Sequence, residues 1–108
     1  SSTGSIMDLK GFPNVSWDDV RLVISTGGTL SAGNASTVKY TVYVKDDTGL
    51  RRNVTMENET LTGGYDPLAY GVYFRASEGV YTTNDEFSII LSGMEEDNAS
   101  VKSRQVFR

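Results

Sequence analysis

The chain contains neither cysteine nor histidine. The first absence excludes disulfides, a thiolate nucleophile and a cysteine metal site, and leaves the compartment open, since many microbial surface proteins do without disulfides. The second removes the commonest general base and the commonest transition-metal ligand. A serine or threonine nucleophile would then need a lysine as its base, and no enzymatic activity is expected. No run approaches the roughly 18 apolar residues of a membrane span. The start "SSTGS" has neither the basic nor the apolar segment of a secretion signal, so export or membrane attachment is expected to depend on a segment absent from this chain. Basic residues are few, 10 against 14 acidic for a formal charge of −4, and they are scattered. A phosphate-binding surface, and with it a nucleic-acid partner, is not expected.

What is present is period-two alternation. In "VKYTVYVK", Val38, Tyr40, Val42 and Val44 face one way and Lys39, Thr41, Tyr43 and Lys45 the other, as in a half-buried strand. The same reading places Val20, Leu22 and Ile24 inward in "VRLVI", Val72, Phe74 and Ala76 in "GVYFRA", and Phe87, Ile89 and Leu91 in "EFSIIL". "LRRNVTM" alternates as Leu50, Arg52, Val54 and Met56, with Arg52 the flaw on its inner face, and "SVKSRQVF" is a weaker sixth run. Turn signals separate them: "STGG" at 25–28, "SAGN" at 31–34, "KDDTG" at 45–49, "TGGYDP" at 62–67, "SEG" at 77–79, "TTND" at 82–85 and "EEDN" at 95–98. "KDDTG" is the best hairpin candidate, with Gly49 available for a positive φ. The "SWDDV" stretch predicts one helical turn capped by Ser16.

At 108 residues one domain is expected. Strand, turn, strand at this spacing predicts an all-β fold, a single antiparallel β-sandwich of about 6–8 strands, immunoglobulin-like or pilin-like. Residues 13–108 would form the sandwich. Residues 1–12 would be a flexible extension, an edge strand of the same domain, or a strand donated to a neighbouring subunit.

Five of the six asparagines stand in Asn-x-Ser/Thr triplets, at Asn14, Asn34, Asn53, Asn58 and Asn98; Asn84 alone does not. Ser and Thr make up 23 of the 108 residues, so chance would place about one asparagine this way. N-linked glycosylation at these five positions is the strongest functional expectation. The competing account is that Asn, Ser and Thr all favour turns and co-occur in a β-rich domain for that reason. With Val54 and Met56 inward, Asn53 and Thr55 would face solvent; Asn34, Asn58 and Asn98 would lie in or beside turns.

Acidic pairs at Asp18-Asp19, Asp46-Asp47 and Asp85-Glu86, and the run Glu95-Glu96-Asp97, offer oxygen ligands for calcium, but none has the spacing of a dedicated calcium loop. They are expected to be solvated turns, and no cofactor is expected. A glycosidase pair would need a sugar-sized cleft, for which a sandwich this small has little room. The glycine-rich "STGGTLSAGN" matches neither a phosphate loop nor a dinucleotide fingerprint. Tyr65, Tyr70, Tyr73 and Tyr81 form either a sugar-stacking or subunit-contact patch, or cross-strand pairs that support a sheet.

The rhythm of "VRLVISTGGTLSAGNASTVKYTVYV" followed by "TTNDEFSIIL", in an acidic, cysteine-free chain crowded with acceptor triplets, resembles the surface domains of archaeal type IV pilins and archaellins. The resemblance covers roughly residues 18 to 91 and is one of pattern. It implies an extracellular structural or adhesive subunit of a cell-surface assembly, N-glycosylated, self-associating or contacting other surface proteins through packing and strand edges. The long apolar N-terminal helix of those subunits has no counterpart here. The alternative expectation is a monomeric immunoglobulin-like module that binds a ligand or carbohydrate.

Overall fold

The computed structural model describes residues 2–45, 49–93 and 100–106, with the backbone alone for 51–52 and 100–106. The described residues form ten strands and no helix: β1 (Ile6–Lys10), β2 (Asp18–Thr26), β3 (Gly28–Leu30), β4 (Lys39–Lys45), β5 (Arg51–Thr60), β6 (Tyr65–Ala69), β7 (Val72–Ala76), β8 (Gly79–Tyr81), β9 (Glu86–Ser92) and β10 (Ser100–Val106). The count exceeds the expected 6–8 because short strands, β3 and β8 among them, carry too few residues to alternate visibly. All pairings are antiparallel. They make a five-stranded sheet in the order β10-β9-β2-β4-β5, a three-stranded sheet β1-β7-β6 and the ribbon β3-β8.

The two larger sheets share one core. Val20, Leu22, Ile24, Tyr40, Val42, Phe87, Ile89 and Leu91 enter it from the five-stranded sheet, and Leu68, Val72, Phe74 and Ala76 from the other. Each fully buried large side chain contributes about 1.5–3 kcal/mol relative to exposure, and the alternation of the four clearest runs holds here. Tyr40 ties the layers together. Its ring meets Phe74 edge-on at 5.1 Å and its hydroxyl donates to the Pro67 carbonyl at 2.6 Å. Burial, with Asp66 and Glu59 adding to it, pushes that hydroxyl far above its usual pKa.

Several expectations need correction. "SWDDV" forms no helical turn: Asp18 and Asp19 open β2, pairing with Leu91 and Ile90, where Asp19 accepts from Ser88 and Arg21 and Asp18 Oδ2 from Tyr70 and Lys45 N, while Asp18 Oδ1 is buried with no hydrogen-bond partner among the described residues. "STGG" is not a turn either. The chain runs through it from β2 into β3, and Gly27 is required there because a Cβ would stand 2.6 Å from the Tyr81 carbonyl oxygen. Thr41 is buried rather than solvated, since its hydroxyl accepts from Asn58 N. Of the expected inner residues of this run, Leu50, just ahead of β5, and Val54, within it, are 54% and 46% exposed. The ten residues of β5 lie against the seven of β4 with three register shifts, and each shift turns the following side chains to the other face.

The N-terminal segment is an edge strand of its own domain. β1 pairs with β7, and a bulge at Met7 brings Ile6 and Leu9 inward together. Ahead of it, Ser2 donates to Asp85 from its backbone N at 2.6 Å and its hydroxyl at 2.7 Å, while Thr3 N donates to the Val80 carbonyl at 2.9 Å. The β4–β5 connection is the expected hairpin, with Gly49 at φ 86°; residues 46–48 and the 95–98 turn lie outside the described residues.

Candidate functional site

β5 closes one side of the five-stranded sheet, and every described side chain on it except Met56 is exposed. Asn53 lies opposite Val44, and the register then shifts so that Met56 lies opposite Val42. Asn53 therefore does not reach solvent by alternation; it is exposed because no strand among the described residues pairs with the outer side of β5. Asn58 is placed by a bulge and not by a turn. Its φ is 51°, a left-handed conformation that Asn tolerates better than most residues, and its N–H donates to Thr41 at 3.2 Å. The same backbone demand explains Asn84, with φ 75° in the 82–85 turn. A local cause thus accounts for an asparagine at position 58 but not for Thr60 two residues on.

Asn34 sits in the expected turn, its amide donating to the Ser31 hydroxyl at 3.0 Å. Asn14 lines an open groove with Pro13, Val15, Ser16 and Gly93, and its N–H is held by the Tyr70 carbonyl at 2.9 Å. All four described acceptor asparagines, at positions 14, 34, 53 and 58, are exposed. They are not brought together: Asn53 and Asn58 share one strand, and the other two lie on separate loops. Asn98 lies outside the described residues.

The tyrosines of the third quarter do not form one patch. Tyr81 is 1% exposed and serves the core. Tyr70 stands at φ 54° in the β6–β7 hairpin, followed by Gly71 at φ 81°, the two positive values of a type I′ turn. Its hydroxyl donates to Asp18 at 2.6 Å, and burial first, then that bond, pushes it far above its usual pKa. Tyr65 and Tyr73 are the exposed pair, on the outer face of the three-stranded sheet. Directly opposed residues share a face, so Asp8, Arg75 and Tyr65 form one row across the three strands and Lys10, Tyr73 and Pro67 the next. The Tyr65 hydroxyl donates to Asp8, and the ring has Lys10 Nζ at 5.1 Å and the Arg75 guanidinium at 5.6 Å. The hydrogen bond from Tyr65, with the Leu9 N–H second, holds the Asp8 carboxyl below its usual range. Sequence reading found these tyrosines but missed Asp8, Lys10 and Arg75, because only strand pairing makes them neighbours.

The described acidic pairs are used internally. Asp18 and Asp19 lie on opposite faces of β2; Asp18 accepts from Tyr70 and from Lys45 N at 3.2 Å, and Asp19 from Ser88 and Arg21. Arg21 bridges Asp19 and Glu86, and Asp85 holds Ser2. Among the described residues no three acidic side chains converge as a metal site would need. The pairs at 46–47 and 95–97 lie outside them. Ser36-Thr37-Val38-Lys39 has the Ser-x-x-Lys spacing of some hydrolases, which works by bringing both side chains to one helix face. Here the segment leads into β4 and the Ser36 hydroxyl accepts from Val38 N at 3.1 Å. Comparison with known proteins finds no matching family model, no matching curated protein and no matching solved structure.

Proposed function

We propose that the chain is an N-glycosylated, extracellular structural or adhesive subunit of a cell-surface assembly, built by packing and strand-edge contacts. The observation that carries this reading is the exposure of all four described acceptor asparagines, Asn14, Asn34, Asn53 and Asn58. An acceptor must be reachable by a bulky glycan, a condition all four meet, as surface-turn asparagines do in general. β5 counts against the composition account, since it carries two triplets within a strand. Glycopeptide mass spectrometry on the protein from its native source tests the reading at Asn14, Asn34, Asn53, Asn58 and Asn98. Occupancy at three or more sites is the expected result; five bare asparagines would overturn both the modification and the extracellular assignment.

A second reading, a carbohydrate-binding module, is favoured by one feature. Tyr65 and Tyr73 stand 42% and 45% exposed on a sheet face that also carries Lys10 and Arg75, and exposed rings beside charged donors suit a sugar that stacks and accepts hydrogen bonds. Titration of the protein and of its Y65A/Y73A variant with acidic oligosaccharides separates the two. Saturable binding lost in the variant would favour the module.

A further inference from the structure

β5 is the long edge of the five-stranded sheet, and among the described residues no strand pairs with its outer side. Such an edge offers a row of backbone donors and acceptors to any strand that fits. The three register shifts against β4 bend and twist it, which blunts the edge without covering it. Its charge pattern names the strand that fits. β5 begins with Arg51 and Arg52 and carries Glu57 and Glu59 toward its end. Laid antiparallel against a second β5 with Thr55 opposite Thr55, position 51 meets position 59 and position 53 meets position 57. The basic end of each strand then faces the acidic end of the other, an arrangement in which cross-strand charge pairs are favourable. Two acceptor triplets fall on this one strand.

We propose that the bare β5 edge pairs with the β5 of a second copy of this chain, and that glycans on Asn53 and Asn58 hold it closed. The inference rests on the glycoprotein reading above and gives two of its sites a task. Adjacent strands lie only about 4.8 Å apart, and a two-fold pairing would bring four glycans into one interface of ten residues a side. Glycosylation at these two positions therefore decides whether assembly can use this edge or must use others.

The test compares three preparations by sedimentation at concentrations up to about 100 μM, where a weak edge contact registers. They are the chain secreted from a glycosylating host, the bare chain from a bacterial cytoplasm, and bare E57K/E59K. Both glutamates are exposed, so this variant keeps the fold while making the strand uniformly basic. A fourth preparation, secreted T55A/T60A, removes the two acceptors and leaves Asn58 in its bulge. The expected result is a monomer for the glycosylated chain, a doubled mass for the bare chain and for secreted T55A/T60A, and a return to monomer for bare E57K/E59K. A bare chain that stays monomeric overturns the proposal, as does a glycosylated chain that dimerises equally, or an E57K/E59K chain that still dimerises. Intact mass distinguishes the failures. Bare asparagines in native-source protein defeat the glycoprotein reading, whereas occupied Asn53 and Asn58 with no effect on association defeat only the guard.

Discussion

Replacing Gly4 by alanine tests whether the first residues are an integral part of the domain. A Cβ at position 4 would stand 2.2, 2.4 and 2.5 Å from Cζ, Oη and Cε2 of Tyr81. The ring has nowhere to go, because Tyr81 is 1% exposed, tilts against Phe87 at 6.3 Å and donates from its hydroxyl to the Ser77 carbonyl at 2.7 Å. The segment around residue 4 must lift instead. It would lose the bonds of Thr3 N and Gly4 N to the Val80 carbonyl, of Val80 N to the Thr3 hydroxyl, and of Ser2 to Asp85. Overpacking of this kind costs about 1–3 kcal/mol. For a domain of this size that lowers the melting temperature by about 4–12 °C. Thermal unfolding followed by circular dichroism reads the total, and amide exchange at Val80 and Thr82 shows whether the loss is local. A melting temperature within about 1 °C of the parent, with unchanged protection at both amides, would refute the reasoning.

Tyr40→Phe removes the bond that crosses from β4 to β6 and should cost about 1 kcal/mol in urea unfolding, with the fold intact by circular dichroism. Because burial raises the Tyr40 and Tyr70 hydroxyls, their neutral forms stabilise the fold below the ordinary value of 10 and this support is lost as pH rises through the folded values; Y40F/Y70F should lose less stability than the parent in strong alkali. Asp8 has the opposite sign. Its lowered pKa means that its contribution is present above 3.8 and lost as pH falls through the folded value, so D8N should flatten the acid limb of the urea midpoint, and an unchanged limb would count against the Tyr65 hydrogen bond. Asn58→Gly should be nearly neutral and Asn58→Ala should cost about 1 kcal/mol, measured by urea unfolding; equal costs would mean that the left-handed bulge does not constrain the strand.

The sequence alone settled the all-β class and the inward residues of β2, β4, β7 and β9. Each of those strands keeps its large apolar side chains on one face over several residues, and that asymmetry is written directly as alternation even where, as in β9, polar residues of the other face are buried too. It also supplied the five acceptor triplets, which are local by definition. It marked β5 as a strand but not which residues face inward, and left β1 as one of several alternatives, because bulges at Met7 and along β5 break the period of two, and a bulge is decided by how a partner strand lines up. The Tyr70-Gly71 turn escaped notice because tyrosine is a poor residue for positive φ, and its hydroxyl bond to Asp18 is a long-range contact. The row Asp8, Arg75 and Tyr65, the anchoring of Ser2 by Asp85, and the standing of β5 as an open edge depend on residues as much as 83 positions apart. Those juxtapositions follow from strand order, which the summed packing of both sheets decides and no local stretch encodes.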